Sequence, residues 1–233
     1  MSQFISFATL LAGVSLLGAS ATMSAPAPVP NADPAGHGAP EDSTFTQFGI
    51  YEKTAPMPQP TAAVATTLPL RLQRGDRVVF IGNTLFDRGA EYPHFESLLQ
   101  QGHPELQLVV RTLAWSADEP GLMPRPMNFG NVQQHLTVQQ ADVIFAAFGF
   151  NESFGGEEKL PEFRQRLAAL LQELKTSAYN GKTGPRIVLV SPIANENVKN
   201  IPAADRNNTR IAAYARAMAA IAAEQKVGFV DVY

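Results

Sequence analysis

Five stretches of this chain are apolar at nearly every position, and they recur from residue 77 to the last residue. They are RVVFIG (77–82), LQLVVRTLA (106–114), ADVIFAAFG (141–149), RIVLVSPIA (186–194) and VGFVDVY (227–233). Such runs lack the alternation of a strand with one solvated face and are typical of parallel strands covered on both faces. The pattern therefore predicts a five-stranded parallel sheet.

The segments between these runs show helical spacing instead. One stripe of apolar side chains, three or four positions apart, consists of Phe163, Leu167, Leu170, Leu171 and Leu174. A second stripe, before the last run, consists of Ile211, Tyr214, Ala215, Met218, Ile221 and Ala222. Strands that alternate with amphipathic helices predict an α/β fold with three layers and a doubly wound parallel sheet.

The N-terminus has the pattern of an export signal. An apolar stretch from Phe4 to Leu17 is followed by Ala19-Ser20-Ala21, which fits the small-x-small pattern of a signal-peptidase site. We therefore predict a signal peptide over residues 1–21 and an exported, periplasmic or extracellular protein. No Lys or Arg precedes the apolar core, so an uncleaved membrane anchor is the alternative. In both cases the domain lies outside the cytoplasm.

Residues 22–74 are rich in Pro, Ala, Thr and Ser and poor in large apolar side chains. Such a composition buries too little apolar surface to offset the entropy of ordering, and it predicts a linker. The motif FTQFGIY (45–51) is the exception and is expected to dock on the domain or to pair as an edge strand. The folded domain is predicted to span residues 75–233.

Composition and charge exclude several kinds of partner and cofactor. A net charge of −3 provides no basic surface, so no nucleic-acid partner is expected. The chain has no cysteine, and no pair of histidines has ligand spacing on one helix, so no metal is expected. GNTLFDRG lacks the close second Gly of a dinucleotide-binding turn. We therefore expect no cofactor.

Polar residues follow the apolar runs, where a parallel sheet binds its ligands. The first run is followed by Gly82-Asn83-Thr84, the second by Trp115-Ser116-Ala117-Asp118, the third by Phe150-Asn151-Glu152 and the fourth by Asn195-Glu196-Asn197. Because the carboxyl ends of parallel strands meet at one edge of the sheet, these residues are the candidates for a functional site.

Three of these segments, IGNTL, TLAWSAD and GFNES, resemble the first three sequence blocks of the SGNH, or GDSL, hydrolase superfamily. The resemblance covers residues 75–233 and is closest to GNT-type members found in exported bacterial proteins. It implies a flavodoxin-like sheet of order 2-1-3-4-5. It also implies a hydroxyl nucleophile in the first block, oxyanion donors from a Gly and an Asn in the next two, and a base from a late Asp-x-x-His motif.

The resemblance places Thr84 at the nucleophile position, with Asn83 where Asp is usual. Ala117 occupies the position of the second-block Gly, and its N–H donates as well as that of Gly if its φ is negative. Asn151 matches the third-block Asn, whose amide would donate to a developing oxyanion. The structural alternatives are that Thr84 merely caps the following helix and that Asn151 forms an Asx turn.

Five more residues at this rim are candidates for binding substrate. They are Asn83, Trp115, Asp118, Glu152 and Asn195. Trp115 could line an acyl or sugar pocket, and a lone Trp beside a buried strand could equally serve packing. The acidic residues could bind a polar substrate, cap a helix or be solvated.

The general base is missing from its expected place. His37, His94, His103 and His135 are the only histidines, and the sequence reaches Asp231 and Tyr233 without an Asp-x-x-His motif. One interpretation is a C-terminally truncated hydrolase that needs a downstream segment or a partner domain to complete it. The other is a non-catalytic module that binds carbohydrate or a partner. We expect an ester hydrolase for acyl or acetyl esters, including those of polysaccharides, whose turnover is impaired.

Overall fold

The computed structural model describes residues 52–199 and 204–233. The predicted signal peptide (1–21), the FTQFGIY motif (45–51) and the first part of the predicted linker lie outside the described residues, and those interpretations stay predictions.

Seven strands and six α-helices make up the described part of the chain. The strands are β1 Gln59–Pro60, β2 Arg77–Gly82, β3 Val109–Thr112, β4 Val143–Ala147, β5 Ser177–Ala178, β6 Arg186–Val190 and β7 Gly228–Val230. The helices are α1 Thr84–Glu91, α2 His94–Gly102, α3 Val132–Gln139, α4 Phe150–Ser153, α5 Leu160–Lys175 and α6 Ala204–Gln225. Short 3-10 turns lie at Pro104–Leu106 and Glu157–Lys159.

The main sheet has five parallel strands in the order β3-β2-β4-β6-β7. Numbered by their own sequence order, these strands run 2-1-3-4-5, so the predicted flavodoxin-like order is confirmed. Each of the five strands lies within one of the apolar runs, but most are shorter than the run. In the run 106–114, for example, strand β3 begins only at Val109, because Leu106 ends a 3-10 turn and Gln107 adopts a left-handed conformation with φ of 51°.

The two faces of the sheet are covered separately, which confirms the three-layer α/β class. One face packs against α3, α5 and α6, and both predicted helical stripes are buried there. The other face carries Val78, Phe80, Phe145 and Val188, and is covered by side chains of α1, α2 and Leu70 and Leu72.

The described part of the predicted linker, residues 52–74, is hydrogen-bonded to the domain. Strand β1 pairs antiparallel with β5, and the Thr66 hydroxyl accepts from the Ile187 N–H at 2.8 Å. At the start of this segment, the Gln134 amide donates to the carbonyl oxygens of Glu52 and Ala55. Hydrogen bonds that mostly involve backbone groups thus attach residues 52–74 to the domain, although the side chains of this segment alone would not predict that it packs there.

Candidate active site

Two glycines bring the ends of β2 and β4 close together. Gly82 has φ of +116°, and a Cβ at this position would lie 2.0 Å from the Ala147 carbonyl oxygen. Gly149 has φ of +92°, and its Cβ would lie 3.0 Å from the Met218 sulfur. Only glycine tolerates both the conformation and the close approach. The residues that follow each glycine are therefore held at one point of the sheet edge.

Thr84 is the first residue of helix α1, and Asn83 occupies the N-cap position without a side-chain cap hydrogen bond. The alternative that Thr84 caps the helix is therefore not what the structure shows. The Thr84 hydroxyl is half-buried and lies 3.4 Å from both the Ser116 carbonyl oxygen and the Asn151 Oδ1. Its N–H is one of the first four of the helix, which have no acceptor within the helix.

Asn151 lies inside the short helix α4, and its side chain reaches across to the loop after β3. Its Nδ2 donates to the Ser116 carbonyl oxygen at 2.6 Å. This contact spans two separate segments, so the side chain does not form a local Asx turn. The segments after β2, β3 and β4 therefore meet at the Ser116 carbonyl.

Ala117 lies in the exposed turn that follows Ser116. Among the described residues other than glycine, a positive φ occurs at Gln107, Asn128, Gln140 and Lys226. Ala117 is not one of them, so its φ is not positive. This is the condition under which its N–H was predicted to act as a donor. After the role predicted for them, we call the Thr84 and Ala117 N–H groups and the Asn151 side-chain amide the oxyanion donors.

Asn83 and Glu152, two predicted substrate-binding residues, are buried beneath the Thr84 hydroxyl. They are 1% and 8% exposed. Glu152 Oε2 accepts from the Gly149 N–H at 2.8 Å and from the Asn83 amide at 3.3 Å. Burial raises the pKa of Glu152 to about 7, and the hydrogen bonds from its own backbone N–H and from the Gly149 N–H oppose this rise. The residue is therefore partly protonated near neutral pH.

Asp118, another predicted substrate-binding residue, is held in a buried ion pair. Arg125 donates to both of its carboxylate oxygens, at 2.7 and 2.8 Å. The guanidinium of Arg125 also lies over the Trp115 ring, 4.4 Å from the ring centre. Trp115 itself is 41% exposed, so this unit presents an aromatic surface beside the site while the Asp118 carboxylate stays covered.

Two cavities flank the oxyanion donors. One, of about 200 Å³, is mostly apolar and is lined by Asn83, Thr84, Leu85, Arg88, Ala147, Phe148, Phe150, Pro192, Ile193 and Asn195. The other, of about 270 Å³, is lined by Glu119, Pro120, Asn151, Glu152, Gly155, Lys159, Glu162, Phe163, Arg166 and Tyr214. Asn195, predicted to bind substrate, lines the first cavity, and its backbone is hydrogen-bonded to the Asn208 side chain.

None of the three described histidines hydrogen-bonds to Thr84 in the described residues. His94 and His103 lie at the two ends of α2 and are exposed. His135 lies in α3, where its Nε2 contacts the Phe129 carbonyl oxygen at 2.9 Å and desolvation lowers its pKa. His37 lies outside the described residues. The described part of the chain therefore places no imidazole base beside the Thr84 hydroxyl.

The structure adds functional candidates that sequence reasoning did not single out. The Ser116 carbonyl oxygen contacts both Thr84 and Asn151, and the Ser116 hydroxyl donates to the Asp87 carboxylate. Pro192 and Ile193 complete the apolar cavity. Ser116 lies inside the TLAWSAD block, which was a usable signal. No sequence pattern indicated the apolar cavity, because the residues that line it come from three separate segments.

Among the described residues, no group of three or more His, Cys, Asp or Glu side chains is placed to hold a metal ion. In the same part of the chain, every helix is too short or too polar to cross a membrane.

A hydroxyl and amide donors that converge at the carboxyl edge of a parallel sheet are the arrangement of an acyl hydrolase. The GDSL-like lipase/acylhydrolase family matches residues 75–233. The chain belongs to this family, which confirms the resemblance to the SGNH or GDSL superfamily and places the protein among esterase-type hydrolases.

Solved structures share the fold at low sequence identity. A catalytic mutant of Axe2, an acetylxylan esterase from Geobacillus stearothermophilus, is 20% identical, with a TM-score of 0.50, over 70% of this chain and 78% of that one. A gut microbial diltiazem-metabolizing enzyme is 18% identical, with a TM-score of 0.52, over 73% of this chain and 38% of that one. No protein of curated function matches the chain.

Proposed function

We propose that this protein hydrolyses acyl esters through the Thr84 hydroxyl, with the negative charge on the carbonyl oxygen held by the oxyanion donors. The observation that carries this proposal is the meeting of three segments at one point. The Thr84 hydroxyl lies 3.4 Å from Asn151 Oδ1, and both residues contact the Ser116 carbonyl oxygen. A nucleophile and a donor can act on one substrate carbonyl only when they lie this close.

In the proposed mechanism, Thr84 Oγ1 attacks the ester carbonyl carbon and loses its proton to a base. The carbonyl oxygen becomes negative and accepts hydrogen bonds from the oxyanion donors. For this step the Asn151 amide turns from the Ser116 carbonyl oxygen toward the substrate oxygen. Collapse of the intermediate breaks the bond to the alkoxy oxygen, which takes the proton from the base and leaves as the alcohol. Water then loses a proton to the same base and attacks the acyl–Thr84 ester, and the second collapse returns that proton to Thr84 Oγ1 and releases the acid.

We propose short acyl or acetyl esters of carbohydrates as the substrates. The apolar cavity beside Thr84, about 200 Å³ in volume, suits a short acyl chain, since apolar walls with few polar groups favour apolar ligands. The exposed face of Trp115 suits a sugar ring, because aromatic side chains supply broad apolar contact. The acetylxylan esterase named above shares the fold and is consistent with this substrate class.

We also propose that the base comes from outside the described residues, from a partner domain or a downstream segment, and that the chain by itself turns over slowly. The support is that no described histidine contacts the Thr84 hydroxyl. Loss of one member of a nucleophile–base pair lowers turnover by roughly 10⁴-fold or more, while the oxyanion donors leave a residual rate. Imidazole in solution is therefore expected to increase the rate.

The test is hydrolysis of 4-nitrophenyl acetate with and without imidazole. Thr84→Val keeps the shape of the side chain without its hydroxyl and is expected to remove the protein-dependent rate. Asn151→Ala is expected to lower the rate about 10²- to 10³-fold, the usual cost of one oxyanion donor. If Thr84→Val hydrolyses the ester as fast as the wild type, the proposed nucleophile is wrong.

A second candidate function is a non-catalytic carbohydrate- or partner-binding module. The observation that favours it is again the absence of an imidazole beside Thr84 in the described part of the chain. Calorimetric titration with acetylated xylooligosaccharides distinguishes the two functions. A binding module retains the acetyl groups of the bound sugar, whereas an esterase releases acetate.

We propose finally that residues 1–21 direct export, on the basis of the apolar stretch and the small-x-small site. Mass spectrometry of the N-terminus after expression in a Gram-negative host tests this. A mature chain that starts at Thr22 in the periplasmic fraction is expected, and an intact Met1 in the cytoplasmic fraction contradicts it.

A further inference from the structure

Glu152 joins the two segments that carry the proposed nucleophile and the side-chain oxyanion donor. Its Oε2 accepts from the Gly149 N–H at 2.8 Å and from the Asn83 amide at 3.3 Å. Gly149 immediately precedes helix α4, which carries Asn151, and Asn83 immediately precedes helix α1, which carries Thr84. Glu152 itself lies in α4, so its hydrogen bond from Gly149 caps that helix, and its hydrogen bond from Asn83 connects the same segment to the start of α1.

The surroundings of Glu152 favour a neutral carboxylic acid. The residue is 8% exposed, and its second oxygen, Oε1, is buried without a hydrogen-bond partner in the described residues. In the described part of the chain, no Lys, Arg or His side chain is bonded to either oxygen. Burying an ionised carboxylate without a cation and with one oxygen unpaired costs several kcal/mol. Protonation of Oε1 removes that cost and leaves Oε2 free to accept both hydrogen bonds.

The charged and titratable groups that share the cavity with Glu152 do not supply a compensating charge. They are Glu119 from the loop after β3, Lys159 from the 3-10 turn before α5, Glu162 and Arg166 from α5, and Tyr214 from α6. Arg166 is already paired with Glu119 at 3.2 Å and Glu162 at 3.7 Å. Lys159 is paired with Glu162 at 3.2 Å. Consistent with this, burial raises the pKa of Glu152 to about 7, and Glu119 raises it further while Arg166 lowers it.

We propose that Glu152 is a positioning residue for this site, and that as a neutral acid it holds the Thr84 helix and the Asn151 helix at the separation that ester hydrolysis requires. This inference rests on the proposed function. Catalytic groups must be held within about 0.5 Å of their working positions. Among the described residues, the Glu152 side chain is hydrogen-bonded to Asn83 and Gly149 and to neither the Thr84 hydroxyl nor the Asn151 amide, so it acts through the residues that precede them.

Ionisation of Glu152 is then expected to disturb the site. The ionised carboxylate gains stability by hydration, and the adjoining cavity of about 270 Å³ is the route by which water reaches it. Rotation of the carboxylate toward that cavity lengthens the hydrogen bonds from Gly149 and Asn83. The wild-type site is therefore well ordered below neutral pH and loosens above it.

The first test compares kcat for 4-nitrophenyl acetate in wild type, Glu152→Gln and Glu152→Ala from pH 5.5 to 8.5, all in the same imidazole buffers. Gln keeps an oxygen acceptor for Gly149 and Asn83 and does not ionise. At pH 6 it is expected to stay within about threefold of wild type, whereas Glu152→Ala loses about 10²-fold in kcat with little change in KM. Glu224→Gln, at an exposed position of α6 outside this cavity, is the control and keeps the wild-type profile.

The distinguishing result is the ratio of the wild-type rate to the Glu152→Gln rate, in which the effect of the buffer base cancels. This ratio is expected to fall about tenfold by one pH unit above the pKa of Glu152. A ratio that stays constant across the range overturns the neutral-acid role, and full activity of Glu152→Ala overturns positioning. Wild-type activity in Thr84→Val instead overturns the proposed function.

A second test does not depend on activity and applies even if Glu152→Ala does not fold. In ¹⁵N NMR spectra, the Gly149 amide and the Asn83 side-chain amide of the wild type are expected to shift together with pH, with a midpoint near neutrality. Both are expected to stay constant in Glu152→Gln. Absence of a common titration in the wild type contradicts the proposal.

Discussion

Thr84 carries one methyl group more than serine, the smaller residue with the same kind of hydroxyl. The methyl restricts the rotation of the side chain and narrows the path of attack. The Thr84 hydroxyl lies 3.4 Å from both of its neighbouring acceptors, so no short hydrogen bond holds it in one rotamer. The methyl group of Thr84 therefore affects the rate of attack more than the position of the site.

Removing that methyl group is expected to increase turnover. Thr84→Ser keeps the hydroxyl and relieves the crowding, so kcat/KM for 4-nitrophenyl acetate should rise by up to about tenfold. Thr84→Val is the matched control, with the same branching and no nucleophile. A Ser variant slower than wild type would show that the methyl group helps to orient the hydroxyl.

Glu152 also makes stability depend on pH. Its pKa rises from 4.5 in the unfolded chain to about 7 in the folded protein, so between these values the folded state binds more protons than the unfolded state. The free energy of unfolding therefore falls as pH rises from 4.5 to 7. At about 1.4 kcal/mol per pKa unit, the loss is on the order of 3 kcal/mol.

Urea unfolding of wild type and Glu152→Gln between pH 4.5 and 8 measures this contribution. The variant does not ionise at position 152. Its unfolding free energy should therefore increase relative to that of the wild type as pH rises. Glu224→Gln, whose side chain is 62% exposed, should show no such shift. If the unfolding free energies of wild type and Glu152→Gln change with pH in parallel, the pKa of Glu152 does not differ between the folded and unfolded states, as for an exposed carboxyl.

At the scale of elements, the loop between β3 and α3 is organised by one buried ion pair. Arg125 bonds to both oxygens of Asp118, and their side chains are only 8% and 2% exposed. Arg125 also stacks on Trp115. Because Ser116 and Ala117 lie in the same loop, the ion pair helps to place two proposed parts of the site.

Removing one member of this pair is expected to destabilise the protein by about 3–5 kcal/mol, since a buried charge is left without a partner. Asp118→Asn tests this in urea unfolding, followed by the fluorescence of Trp115, the only tryptophan in the chain. The exposed pair Arg88–Glu91, with side chains 65% and 57% exposed, provides the control. Glu91→Gln should change stability by less than about 1 kcal/mol, and an equal loss in both variants would contradict the role of burial.

At the scale of the whole molecule, the proposed acyl pocket exists only where three segments meet. Helix α1 supplies Leu85, the end of β4 leads to Phe148 and Phe150, and the loop after β6 supplies Pro192 and Ile193. Ile193 is 47% exposed, so its side chain lies at the mouth of the cavity. The size of this residue should therefore set the length of the acyl chain that enters.

Ile193→Trp is expected to reduce hydrolysis of 4-nitrophenyl butyrate relative to the acetate by about tenfold or more, since each methylene that an apolar pocket no longer accepts costs about that factor. Val198→Trp adds the same bulk to a residue of the same loop that is 60% exposed and outside the cavity lining, and it should leave the ratio unchanged. If both variants alter the ratio equally, the cavity does not bind the acyl chain.

The sequence predicted some parts of the molecule well and others only roughly. The stripes of α5 and α6 are buried as predicted, because helical periodicity is a local property. Strand ends were less predictable, since the run 106–114 contains a left-handed Gln107 that side-chain polarity does not reveal. The attachment of residues 52–74 was also missed, because it depends on hydrogen bonds to distant segments, such as the one from the Ile187 N–H to the Thr66 hydroxyl.

By itself, the sequence determined the α/β class, the faces of the two long helices and the polar residues at the ends of the strands. These follow from periodicity and from the apolar runs, which are properties of neighbouring residues. Only the tertiary structure decided that Thr84 and Asn151 meet at Ser116, that Asp118 is covered by Arg125 and that Glu152 is buried without a cation. The contacts of Thr84, Asn151 and Glu152 join segments 32 to 69 residues apart, and the Asp118–Arg125 pair depends on how one loop folds back on itself. No pattern of neighbouring residues records the environment that such packing creates.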